Sequence, residues 1–328
     1  MLLNHLVNYL DKTRVFDFYG GLRRKITKSQ VIILTYHRTG PMNDKWILNP
    51  LIHQEIFKKQ MKYLIKNFDI ISLNDLTEMI ANGKIPEKAV VITFDDGYKD
   101  NYEYAFPILK KYDIPATIFL STGPIEQKKL FWSDEVSYVL FNTELKFIDV
   151  EDIGSYHLNS DEDKIKASIS VVEKLKKMEN NKKEFIIKDL INLTGVNIPS
   201  RLGKQNILSW NEIKKMNKNG IDFGAHTVNH PILTNIPLDE AKMEIMNSKN
   251  RIEEILNTEV KSFAYPNGDF NEEILSLVRD SGFNSSVTTI SGLLKNEVND
   301  LYQLNRIDGF KDFHILKLNL CGLWGDLS

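Results

Sequence analysis

Residues 90–97 read VVITFDDG: an unbroken β-branched and aromatic run, two adjacent aspartates, and a glycine. A run of this length with no polar alternation reads as a strand covered on both faces, as strands of parallel sheets are. Working outward, comparable runs recur at Val31–Thr35, Ala116–Leu120, Ile221–Ala225, Lys261–Tyr265, Ser285–Thr289 and Leu304–Asp308. Helical periodicity fills Gln54–Phe68, Asn101–Tyr112, Asn211–Asn219, Leu238–Leu256 and Asn271–Ser281. Strands alternating with helices make βαβ units, hence an α/β protein with a parallel sheet. Seven strands fit a barrel one unit short of eight; from pattern alone a doubly wound sheet stays open as the alternative. Residues 125–206 break the rhythm. They are rich in Lys, Glu, Asp and Asn, with helical patterning in Lys164–Met178 and Lys182–Leu193, and are expected to form a mostly helical insertion.

The expected organisation is an N-terminal helical segment (1–29), a barrel from 30–124 and 207–312, the insertion 125–206, and a C-terminal tail, 313–328. With 42% hydrophobic and 26% charged residues, the 328-residue chain has a globular balance. With a formal charge of -2, nothing argues for a nucleic-acid partner held by a basic surface. A single cysteine, Cys321, excludes an internal disulfide framework. No apolar stretch approaches the roughly 18 residues of a membrane span. The start, MLLNHLVNYLDKTRVF, lacks the basic opening and continuous apolar core of a secretory signal. Its leucines and Val7 recur at helical spacing, and Arg23, Arg24, Lys25 and Lys28 follow. A helix lying on a membrane surface is one reading; a helix packed on its own domain is preferred, with the cytoplasm as the expected location.

The polar residues worth attention fall just past the carboxyl ends of the expected strands, the edge where α/β folds bind ligands. Asp95 and Asp96 follow one strand; pointing in different directions, one can bind a metal while the other accepts a proton. Gly97 permits a tight exit turn. In HTVNH, residues 226–230, His226 and His230 stand at i and i+4, a spacing that on a helical turn aims both imidazoles at one ion. With Asp96 they supply a His-His-Asp set that leaves positions for water and substrate. Such a set suits zinc, with cobalt, nickel or iron as alternatives. In YPNG, residues 265–268, a turn can aim a backbone N–H at a developing oxyanion. Tyr265 and Pro266 of this turn, and Trp132 of LFWSDE, are expected to touch substrate; aromatic faces stack on pyranose rings. Taken singly, an Asp-Asp-Gly turn, a histidine pair or a proline turn is common and structural.

Together TFDDG (93–97), HTVNHP (226–231) and FAYPNG (263–268), in this order, resemble the polysaccharide deacetylase family, the NodB homology domain of carbohydrate esterase family 4. The resemblance covers roughly residues 30–124 and 207–310. It implies a distorted (β/α)7 barrel and metal-dependent hydrolysis of N-acetyl or O-acetyl groups on an acetylated glycan. It also implies Asp95 as catalytic base, Asp96, His226 and His230 as metal ligands, and the N–H of Asn267 as oxyanion donor. Two features depart from the family. The arginine that many members carry two residues before the motif proline is replaced by Ala264, and Arg306, in LNRID on the last strand, is expected to take its place. The late Leu-x-His motif is missing. LTYHRTG, residues 34–40, resembles a subgroup that acts on bacterial surface and biofilm polysaccharides and takes its acid histidine from the first strand. His37 is therefore expected to be the general acid, with His314 as the alternative. Other readings are hydrolysis of a cyclic amide and a catalytically idle glycan-binding module.

Overall fold

Each of the seven buried runs forms a parallel strand: β1 (Val31–Tyr36), β2 (Ala89–Phe94), β3 (Ala116–Leu120), β4 (Ile221–Ala225), β5 (Ser262–Ala264), β6 (Ser285–Ser291) and β7 (Leu304–Asp308). The computed structural model describes residues 31–41, 45–294 and 300–320. The expected N-terminal helix, its basic cluster and Cys321 lie outside the described residues. β1 pairs with both β2 and β7, so the ring β1-β7-β6-β5-β4-β3-β2 closes on itself. Closure rules out the doubly wound alternative, which needs two free edges.

Strand alternation divides the core into layers. Val31, Ile33, Ala89, Val91, Ala264, Val287 and Leu304 cluster together in the barrel, joined by Leu73 and Leu76 of the 73–81 helix. Ile32, Leu34, Val90, Ile92 and Phe94 face the other way and pack with the helical layer. The same period of two puts Thr93 and Asp95 in line with Val91, and Arg306 in line with Leu304. Polar groups thus cap the apolar interior where the strands end.

The barrel is uneven. β1 and β2 match along six residue pairs, whereas β2 and β3 meet only at Thr93↔Thr117 and Phe94↔Ile118. The lower part of β2 pairs instead with Asp69–Ile70. Around the barrel stand the helices Gln54–Asn67, Trp210–Asn217, Leu238–Leu256 and Glu272–Asp280. The segment expected as one helix over 101–112 opens as a π-helical turn, Asn101–Ala105, before Phe106–Lys111.

The insertion carries helices at Trp132–Asn142, Asp161–Leu175, Asn180–Thr194 and Arg201–Asn206. Its own apolar core includes Val136, Leu140, Val171, Leu175 and Leu190. It also holds an antiparallel hairpin, Phe147–Val150 with Gly154–His157, which the expectation of a helical insertion missed. The expected C-terminal tail is helical over Phe313–Leu320, and Phe313 meets Tyr63 of the 54–67 helix edge-on, with ring centroids 5.6 Å apart.

Candidate active site

β2 delivers Asp95 and Asp96 to the rim in a turn that needs unusual backbone. Asp96 has φ 75° and Gly97 φ 83°, and the Gly97 N–H bonds back to the Asp95 carbonyl at 2.9 Å. A left-handed non-glycine residue is costly, and here the conformation splits the two carboxylates. The Asp95 N–H donates to Tyr36 O at 2.9 Å, continuing the β1–β2 pairing to the rim and setting Asp95 beside the residue that precedes His37.

Asp95 is held by Arg306. The guanidinium donates from Nη1 to Oδ1 at 2.8 Å and from Nη2 to Oδ2 at 2.7 Å, the planar two-pronged pairing that arginine favours. Arg306 is itself fixed by Nε to Thr288 O at 2.8 Å and Nη1 to Thr93 Oγ1 at 3.2 Å. Both partners are buried, their side chains 1% and 4% exposed. Burial by itself raises the pKa of Asp95; the charge and hydrogen bonds of Arg306, helped by His226 and His37, outweigh it and hold the carboxyl well below the usual range.

Asp96 faces the histidines. Its Oδ1 lies 3.5 Å from His226 Nε2 and 3.4 Å from His230 Nε2, and one donor atom from each of the three residues lies within 4.8 Å of the others. Bonds of roughly 2.0–2.2 Å at tetrahedral angles put ligand atoms about 3.3 Å apart, so the donors fit one divalent cation. His226 Nδ1 sits 2.7 Å from the Ala264 carbonyl. Donation to that carbonyl leaves the Nε2 lone pair directed at Asp96, the orientation that metal-binding imidazoles take from such a partner. Burial drives the His230 pKa down to about 4, with His226 and Lys183 adding to the effect, so its imidazole is neutral. Burial also lowers the His226 pKa, but Asp96 and Asp95 more than reverse this and raise it. Asp96 is raised by burial and lowered further by His226, His230 and His37, ending below its ordinary value.

The two histidines do not meet through a helical turn as the i, i+4 spacing suggested. Residues 226–230 form a loop in which Thr227 (φ 66°) and His230 (φ 57°) are left-handed. Glu244 of the 238–256 helix accepts from the Val228 and Asn229 N–H groups at 2.8 Å and from the Asn229 amide at 2.7 Å. Thr227 Oγ1 accepts from the His230 N–H at 3.0 Å. The imidazole centroids end 4.8 Å apart.

Asn267 occupies the turn after β5, exposed and left-handed at φ 59°. Its N–H has no hydrogen-bond partner among the described residues, and Thr289 Oγ1 donates to its carbonyl at 3.2 Å. Pro266 is buried in the turn. Tyr265 departs from the expected substrate contact. It is 1% exposed, its ring stacks on Phe270, and its hydroxyl bonds to Tyr302 O and Ser286 Oγ. Its task is to anchor the turn. His37 is half-buried beside both aspartates, close enough for its charge to act on each. His314 sits on the 313–320 helix against Phe313. Trp132 opens the first helix of the insertion and lines a groove of 740 Å³ with Phe131, Val228 and Pro231.

Residues that the sequence did not mark complete the site. Asn49 Nδ2 donates to Asp96 Oδ2 at 2.8 Å and to the Tyr98 hydroxyl at 2.6 Å, and that hydroxyl donates to Asp134 Oδ2 at 2.8 Å. Arg38 lies over the Tyr98 ring, 5.0 Å from its centroid, and pairs with Asp100 at 2.7 Å. Asp134 belongs to the insertion, so the insertion is tied to the carboxylate that faces the two histidines. Burial pushes the Asp134 carboxyl up to about 7 and that of Asp100 up to about 6. No sequence signal joins Asn49 to a residue of a distant insertion.

The family model for polysaccharide deacetylases matches residues 82–286, and the chain belongs to that family. Among its relatives, YxkH of Bacillus subtilis (strain 168) is 24% identical over 277 residues, 84% of this chain and 70% of that protein. The poly-beta-1,6-N-acetyl-D-glucosamine N-deacetylase of Staphylococcus aureus (strain MSSA476) is 34% identical over 126 residues, which span 34% of this chain and 43% of that protein. In structure the fold is similar to Streptococcus pyogenes deacetylase PplD in complex with acetate, with a TM-score of 0.59 at 24% identity, covering 86% of this chain and 93% of that one.

Proposed function

We propose that this protein is a metal-dependent hydrolase that removes N-acetyl groups, with O-acetyl groups as the alternative, from a carbohydrate in surface polysaccharide or glycan biosynthesis. The observation that carries the reading is the juxtaposition of Asp96, His226 and His230, spaced for one cation, with Asp95 clamped beside them by Arg306. A glycan-binding module needs no such arrangement.

Asp96, His226 and His230 would hold the cation, zinc being the best match to two imidazoles and a carboxylate, with cobalt, nickel or iron as alternatives. When bound, it would polarise the acyl carbonyl and bring the pKa of a water from 15.7 to about 7. Asp95 takes the proton from the attacking water. The Arg306 clamp keeps this carboxylate ionised and aimed, at the expense of proton affinity, so Asp95 suits only a water already made acidic. The N–H of Asn267, unpartnered among the described residues, donates to the oxyanion as the carbonyl carbon becomes tetrahedral. His37 gives its proton to the leaving nitrogen, without which an amine departs slowly.

The test is acetate release from N-acetylated oligosaccharides by the metal-loaded protein, its chelated form and Asp95→Asn. Release that needs both metal and Asp95 is expected. Tight metal binding without acetate from any N- or O-acetylated substrate would instead favour cyclic amides. Absence of metal binding would sink the hydrolase reading.

A further inference from the structure

The groove beside the site contains a charge that the mechanism leaves unused. Lys183 lies in the first turn of the Asn180–Thr194 helix and is only 6% exposed. Its ammonium rests over the Trp132 ring, 4.8 Å from the centroid, and makes neither a hydrogen bond nor an ion pair among the described residues. Glu135, Glu184, Glu240 and Glu244 share the groove, and two of them have partners of their own. Glu244 is occupied by Val228 and Asn229, and Glu184 accepts from Asn180.

The start of this helix is equally unmet. Its first turn holds no acidic side chain, and Glu179 at the N-cap makes no capping bond. The N–H groups of Asn180, Asn181 and Lys182 have no partner among the described residues. A lysine in a first turn opposes the helix dipole, and a buried ammonium without an anion is costly. An anion in the groove relieves both, because the N–H groups and the ammonium then point at one negative group. Long helical side chains lean toward the N-terminus, the end of the helix that carries these N–H groups. Asn180 and Lys183 line the groove together with Phe131 and Pro231. Phe131 touches the His230 ring, with centroids 5.6 Å apart, so the groove begins at the metal-facing rim.

We propose that Lys183 and the start of the 180–194 helix form an anion subsite that recognises a phosphate or carboxylate carried by a glycan lying in this groove. The substrate class is then an acidic glycan, with its acyl group at the rim and its negative group on the insertion. This part rests on the deacetylase reading; the subsite itself does not.

The experiment is calorimetric titration of the metal-loaded full chain with glucose 1-phosphate, glucuronate and glucose. Wild type is expected to bind one or both acidic sugars roughly tenfold or more tighter than glucose, the gain of a charge-assisted contact. Lys183→Gln should erase that preference; deleting an unpaired buried charge does not threaten the fold. Lys183→Arg should retain it, and so should Lys182→Gln, which removes an equal charge that is paired with Asp152 at 2.7 Å. Preference for the phosphate alone or the uronate alone identifies the anion. No preference in wild type, or an unaltered preference in Lys183→Gln, overturns the subsite. Acetate release from neutral and acidic N-acetylated oligosaccharides separates the two readings. Loss of anion binding in Lys183→Gln without acetate release by wild type upholds the subsite and refutes the deacetylase. Acetate release with no effect of Lys183 on the acidic-to-neutral ratio of kcat/KM does the reverse.

Discussion

Replacing Arg306 with methionine keeps much of the aliphatic bulk but removes the cation from a buried pair. The two oxygens of Asp95 lose donors at 2.8 and 2.7 Å in a place where the side chains are 4% and 1% exposed. Removing one member of such a pair leaves the other charged, dry and unmatched, at a cost of about 3–5 kcal/mol. The pH dependence should also reverse. In the native protein the folded pKa of Asp95 lies below its unfolded value. The pair therefore stabilises fully above about pH 4 and is lost as the pH falls through the folded value. Without Arg306, burial raises the folded pKa above the unfolded one, so Asp95 becomes a growing penalty as the pH rises from about 4. Urea midpoints measured at pH 4 and pH 7 should show the gap between wild type and Arg306→Met widening with pH. Taking the difference cancels the contributions of Asp100 and Asp134, which are common to both proteins. The double variant Asp95→Asn/Arg306→Met, free of both charges, should be more stable at pH 7 than Arg306→Met alone. In acetate release, Arg306→Met should lose on the order of 10² or more in kcat/KM, with its acid limb moved upward and Arg306→Lys in between. Additive stability changes, or a wild-type pH profile in Arg306→Met, would refute the clamp.

Asn49→Leu removes the donor on the far oxygen of Asp96 and should weaken metal binding by roughly 10–100-fold in a chelator competition; unchanged affinity would show that Asp96 needs no such support. His37→Gln should reduce acetate release on the order of 10²–10⁴-fold with an unaltered urea midpoint, whereas His314→Gln should stay active; the opposite ranking would move the acid to the 313–320 helix. Gly268→Ala should cost about 1–3 kcal/mol and impair turnover, because Gly268 has φ 79° and a Cβ there would collide with the Thr289 side chain. A fully stable and active variant would mean that the turn around Asn267 can move freely.

The barrel was legible because its strands are buried on both faces, and Val31–Tyr36 and Ala89–Phe94 carry no polar residue outside Thr35, Tyr36 and Thr93 to blur the pattern. The hairpin at 147–157 was not, since four-residue strands embedded in Lys, Glu and Asp give too short a period-two signal. Asp95, Asp96, His226 and His230 could be named from motifs, yet their geometry could not. None of the left-handed residues Asp96, Thr227 and His230 is a glycine, whose presence would have marked the positive φ. Tyr265 shows the opposite error, a residue inside a motif whose side chain serves the core. Asn49, Tyr98, Asp134 and Lys183 gain meaning only from neighbours that are remote in sequence. Among the described residues no helix is long and apolar enough to cross a membrane.

The closing of the ring has a consequence for how the chain comes to life on the ribosome. β1 emerges early, but its second neighbour, β7, is the last barrel strand to be made, and the Leu34↔Ile307 pairing joins them. Arg306 travels on that strand. Until it docks, Asp95 has no clamp, and the loop closed by the contact is nearly as long as the barrel sequence itself, which makes this a slow encounter. Synthesis therefore produces the Asp95 carboxylate long before the residue that disciplines it. The buried Asp95–Arg306 pair is complete only with the final act of folding, and an unfinished chain holds one half of it.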